Sequence, residues 1–92
     1  MRRQPRVHVR HLAPGTTLAG QGEPEDELFL LLDGILTAEV DGRALAELGP
    51  GSILGERALF ARGTRTATLR AKTSCRVAVV HVHDLQEYVL AN

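Results

Sequence analysis

Aromatic residues are nearly missing from this chain of 92: Phe29, Phe60 and Tyr88 are all it has, and tryptophan is absent. A core must therefore be built from Leu, Val, Ile and Ala. There is one cysteine, Cys75. It cannot form an internal disulfide or, alone, a cysteine-based metal site, and it favours a reducing compartment. No apolar run approaches the ~20 residues that a membrane-spanning helix needs. Met1-Arg2-Arg3 begins like a signal peptide, but no apolar stretch follows it. Net charge is also lacking: 11 basic side chains balance 11 acidic ones. Composition thus gives no reason to expect nucleic acid or an acidic membrane surface as a partner. No internal repeat, long linker or low-complexity tract is evident. The expectation is one small cytoplasmic domain, close to the size at which a single core gives thin stability.

What the chain does have is short apolar runs punctuated by turn residues. Residues 1–11 form a basic N-terminal arm leading into a first strand; Arg2, Arg3, Arg6 and Arg10 meet no acidic residue there. A solvated end running into a Val7/Val9 strand explains them most simply. Leu12-Ala13-Pro14-Gly15 reads as a turn and Thr16 to Ala19 as a short strand. The acidic cluster from Gly20 to Glu27 lacks the ligand order of a calcium loop, and Pro24 interrupts it, so it reads as a polar turn. Leu28 to Leu32 fits a buried strand. Asp33-Gly34 and Asp41-Gly42 are both hairpin signals, with Ile35 to Val40 as the return strand between them. Arg43 to Leu48 follows, with Ala44, Ala46 and Leu48 expected on one face. Cys75 to Val80 alternates, placing Cys75, Val77 and Val79 together. Val82, Leu85, Tyr88 and Val89 then fall at helical spacing. Many short strands with one terminal helix predict a mainly β fold: a small antiparallel β-barrel or double-sheet jelly roll.

The most informative stretch runs from Gly49 to Ala71, GPGSILGERALFARGTRTATLRA. Gly55 and Glu56 precede Arg57-Ala58-Leu59-Phe60, about one helical turn, whose first N–H groups and partial positive charge suit an anion. Gly63 lets the chain reverse, and Arg65 stands at the mouth of the Thr66–Arg70 strand, nine residues after Glu56. A carboxylate accepts hydrogen bonds from hydroxyls, and a guanidinium forks onto a phosphate. A ligand carrying both a sugar diol and a phosphate would satisfy the two. Taken singly, Glu56 could merely complement the turn's dipole and Arg65 could be a structural ion-pair partner.

Taken together, GERALFARGTRTATLRA resembles the phosphate-binding cassette of cyclic nucleotide-binding domains, G-E-x-A-L, a loop, then R-[AST]-A. The resemblance extends over most of the chain, roughly Leu12 to Leu90, and defines residues 12–92 as the domain. GQGEPEDELFLLLDGILTAEV is also similar to the family's first glycine-rich segment. It departs at Glu25, where glycine is usual and a left-handed turn would strain a glutamate. The resemblance implies that Glu56 binds a ribose 2′-hydroxyl and that Gly55 permits close backbone approach. Ala58 and Leu59 would offer backbone contacts near the phosphate, Arg65 would pair with the cyclic phosphate, and Thr66 would add a hydroxyl hydrogen bond. The ligand is then cAMP or cGMP, a choice that Thr66 leaves open, with no cofactor and no catalysis. An effector domain or protein would read out occupancy, and a homodimer stays open. In the family a helix beyond the barrel often lids the base, and DNA-binding relatives carry a helix-turn-helix after it. The sequence stops at Asn92 before either. A weak binder, a lid from another subunit and a domain trimmed from a longer protein are all compatible with that.

Two rival readings remain. His81-Val82-His83 with Glu87 spells a fragment of the cupin metal motif and would make a small metal-dependent enzyme. Cys75 stands where that motif expects glycine, and Glu87 is expected on a helix diverging from the strand that carries His81. The other reading is a barrel used only for assembly.

Overall fold

The computed structural model describes residues 4–59 and 63–90, the side chains of residues 88–90 excepted. Expectations for Arg2, Arg3, Phe60 and the side chains of Tyr88 and Val89 lie outside the described residues. Eight strands and one helix follow in chain order: β1 (Val7–Leu12), β2 (Thr17–Ala19), β3 (Glu27–Asp33), β4 (Leu36–Val40), β5 (Arg43–Leu48), β6 (Ile53–Leu54), β7 (Thr68–Ala71), β8 (Cys75–His81) and α1 (Val82–Leu90). A 3₁₀ turn at Glu56–Leu59 separates β6 from β7.

The strands form two four-stranded antiparallel sheets, ordered β1-β8-β3-β6 and β2-β7-β4-β5. This is the double-sheet architecture expected from the turn-punctuated pattern. Alternation decides which side chains meet between the sheets. Phe29 and Leu31 of β3 and Val77 and Val79 of β8 are fully buried from one side, and Leu36 of β4 from the other. Leu12, Leu18, Leu69, Ala71 and Cys75 complete the cluster. Cys75 is the small buried hydrophobe expected; its thiol lies 3.3 Å from the carbonyl oxygens of Ile35 and Thr73.

One of the two predicted hairpins forms. Asp41 and Gly42 both take positive φ, 51° and 80°, and join β4 to β5 with Val40 opposite Arg43. Gln21 clamps this turn: its side-chain oxygen accepts from the Asp41 N–H at 2.8 Å, and its amide donates to the Asp41 carboxylate at 3.0 Å. Asp33-Gly34 does not make a hairpin. β3 already pairs with β8 and β6, one on each side, so the chain crosses to the second sheet instead. Gly34, at φ 93°, lies where a Cβ would collide with the Ser74 carbonyl and with Cys75. β5 also departs from expectation. Its register with β4 slips between Ala38 and Glu39, leaving Leu45 without a partner. Ala44 and Ala46 are exposed, and only Leu48 of the expected face packs on the core.

Candidate functional site

Arg65 is held through both its backbone groups by one neighbouring loop before β7 begins. Its N–H donates to the Glu23 carbonyl at 2.7 Å, and its own carbonyl accepts from Gly22 N–H at 2.8 Å. Glu25 N–H donates to the Gly63 carbonyl at 3.0 Å, and Pro24 bridges Thr64. The glycine-rich loop after β2 is therefore a splint for the arginine segment. Positive φ is taken by Gly22 and not by Glu25, so glutamate stands at position 25 without backbone strain.

The Arg65 side chain is buried, with 7% exposure, the one buried charged residue among those described. Its guanidinium carbon lies 4.7 Å from the centroid of the Phe29 ring. One long hydrogen bond, 3.4 Å, runs from Nη2 to the Glu27 carbonyl. Among the described residues no carboxylate pairs with it. Ring and carbonyl offset part of the desolvation of a cation. They leave most of its five N–H donors without a protein partner and open to water. Such a group is suited to an anion that arrives from outside.

Gly55 meets the same carbonyl. At φ 88° it packs so tightly on Glu27 that a Cβ would overlap the carbonyl oxygen. Arg65 and Gly55 are thus neighbours through one shared atom. The chain turns at once after Gly55, and Ala58 N–H donates to the Gly55 carbonyl at 3.1 Å. The expected helical turn is a 3₁₀ turn, with Ala58 buried and Glu56 exposed. Leu59 is half-buried, and Thr66 is exposed beside Arg65. The Leu59 carbonyl accepts from Gln86 Nε2 of α1 at 2.9 Å, tying the turn to the helix.

The histidine constellation takes another form. His81 ends β8, and its Nδ1 accepts from the His83 N–H at 3.0 Å, which caps α1. His83 lies on the helix and faces Glu87 at 3.3 Å. Among the described residues no three His, Cys, Asp or Glu side chains gather as metal ligands would.

The family model described as "Cyclic nucleotide-binding domain" matches residues 9–92. The chain belongs to that family. Two curated proteins similar to this cyclic nucleotide-binding domain are a cGMP-dependent protein kinase of Plasmodium berghei and the cAMP-activated global transcriptional regulator of Salmonella typhimurium. The first is 39% identical over 69 residues, covering 73% of this chain and 8% of the kinase. The second is 31% identical over 91 residues, covering 92% of this chain and 43% of the regulator. This domain therefore spans less than half of either relative. Among solved structures, the N-terminal domain of a transcriptional regulator from Streptomyces coelicolor A3(2) superposes with a TM-score of 0.83 at 34% identity. That alignment covers 94% of this chain and 65% of the other.

Sequence reasoning named the cassette residues but missed three that serve them. Phe29 was legible only as an inward-facing core residue, and nothing in the sequence put it beneath Arg65. The Glu27 carbonyl and Gln86 carry no local signal at all, because their roles depend on which segments fold side by side.

Proposed function

We propose that this domain is a non-catalytic sensor that binds cAMP or cGMP in the Gly55–Thr66 cassette and signals occupancy to an effector. The observation that carries the reading is Arg65: a buried guanidinium on an aromatic ring, without a carboxylate, in a segment splinted by the Gly22–Glu25 loop. In this reading the cyclic phosphate takes up the free donors of Arg65, with the Thr66 hydroxyl beside it. Gly55, packed on the Glu27 carbonyl, sets the turn in place, and the main chain at Ala58 and Leu59 lines the phosphate. The exposed Glu56 carboxylate accepts from the ribose 2′-hydroxyl. Binding needs no metal and no group that transfers a proton or forms a bond. The names of the relatives divide between cGMP and cAMP, so the base is left to experiment. A buried lone thiol suits a reducing, cytoplasmic compartment.

The signal would leave through Gln86. A ligand that repositions the 3₁₀ turn acts on the Leu59 carbonyl and hence on α1, shifting the population of helix positions that an effector reads. Thermal unfolding with cAMP, cGMP and 5′-AMP tests the reading. A cyclic nucleotide at 100 times its Kd stabilises by about 2.7 kcal/mol, a rise on the order of 10 °C or more in a domain of this size. 5′-AMP should give far less. Equal shifts for all three, or none, would remove the cyclic phosphate from the account.

A further inference from the structure

Of five large apolar side chains exposed on the described surface, four (Val7, Val9, Leu30 and Ile53) belong to the first sheet. Register places them on its outer face. Val9 lies opposite Ala78, Ala78 opposite Leu30, and Leu30 opposite Ile53. One apolar row thus crosses all four strands. Beside it lies Val7–Val80–Leu28, in which Val7 is exposed, Leu28 half-buried and Val80 already buried, so this second row adds little open surface. On the far side the face ends in charge, where Arg76 pairs with Asp33 at 2.6 Å. The outer face of a two-sheet domain is ordinarily polar, and apolar continuity of this kind marks an interaction surface.

We propose that this face docks a second copy of the chain, sheet on sheet. The row is self-complementary about a two-fold axis lying along the strands between β8 and β3. Such an axis sets Leu30 of one copy over the small Ala78 of the other, and Val9 over Ile53. The same axis brings Arg76 of each copy to Asp33 of the other, so the charged end is complementary as well. Aligned packing of twisted sheets, about −30° between strand directions, keeps residues near the axis in contact. Three strands by five residues, with the two-residue β6 at one edge, cover roughly 280 Å². With side-chain relief, that buries on the order of 500 Å² per copy, so about 1,000 Å² in all, the size of weak, transient association. The dimer is accordingly weak and concentration-dependent. It leaves the cassette open, since Arg65 points between the sheets and not out of this face.

Sedimentation equilibrium from about 10 µM to 1 mM, a range bracketing weak association, tests the proposal. The wild-type chain should move from monomer to dimer across it. Leu30→Lys and Ile53→Lys, each checked for a native circular dichroism spectrum, should stay monomeric. Leu45→Lys, a still more exposed position on β5 of the other sheet, should dimerise as the wild type does. Arg76→Asp should weaken the dimer, and adding Asp33→Arg should restore it. A chain that remains monomeric at 1 mM overturns the proposal. So does a dimer that Leu45→Lys dissolves and that both Leu30→Lys and Ile53→Lys leave intact. Nucleotide affinity should be the same in all these variants, which separates this test from that of the cassette.

Discussion

Arg65 and Arg70 stand five residues apart in one segment, and the fold treats them in opposite ways. Arg70, on β7, spends its donors within the chain. Its Nε and Nη2 reach the two oxygens of Glu39 at 3.0 and 3.4 Å. Its Nη1 reaches Thr17 Oγ1 at 3.1 Å and the Gly15 carbonyl at 3.3 Å. Its side chain keeps 41% of its exposure, so water can supply what the protein does not. Arg65 is more deeply buried, with 7% exposure, and has only a ring and one distant carbonyl. Arg70 is the more satisfied of the two, and for that reason the less useful to a ligand. A structural arginine brings its own counter-charge. An arginine without one leaves that place to whatever anion reaches it.

The sharpest way to break this contrast is through the shared platform. Phe29 is fully buried and carries the Arg65 guanidinium. Phe29→Ala should cost about 3–5 kcal/mol of stability, measured by urea unfolding, and should weaken nucleotide binding too. Next in size is Arg65→Met. Losing charge-assisted hydrogen bonds worth about 1.5–3 kcal/mol should reduce affinity at least tenfold. Stability without ligand should change little, or rise, because an unpaired buried charge gives way to an apolar side chain. Arg70→Ala should do the reverse: about 1 kcal/mol of stability lost, as for a partly exposed ion pair, and an unchanged Kd. The smallest effect belongs to Gln86→Ala. It removes one hydrogen bond, roughly 0.5–1.5 kcal/mol, and should leave affinity within a few-fold. Amide exchange of α1 should then no longer respond to ligand.

The same contrast marks what could be read from the sequence. Periodicity and turn residues located seven of the eight strands and the terminal helix because those signals are local. The two-residue β6 carries too few residues to show a pattern, and the cassette stood out only by its resemblance to the family's motif. The role expected of the arginine came from the resemblance of its segment to the family's cassette. Its burial was not legible, because Phe29 beneath it lies 36 residues earlier in the chain. The two Asp-Gly pairs make the point on the backbone. Both announce a reversal, yet only Asp41-Gly42 closes a hairpin. At Asp33-Gly34 the preceding strand has β8 and β6 on its two sides, so no edge is left for β4. A turn signal says that the chain changes direction. Tertiary pairing decides which strand it meets. Likewise, helical spacing could not show that His81 would cap α1 through its ring nitrogen rather than face a metal.

The most direct test of the central claim is calorimetric titration of the domain with cAMP and cGMP, run on the wild type, Arg65→Ala and Arg70→Ala. The account expects saturable, one-site binding by the wild type and by Arg70→Ala, and its loss in a folded Arg65→Ala. Arg65→Ala binding as tightly as the wild type, or a folded wild type that takes up neither nucleotide, would contradict it.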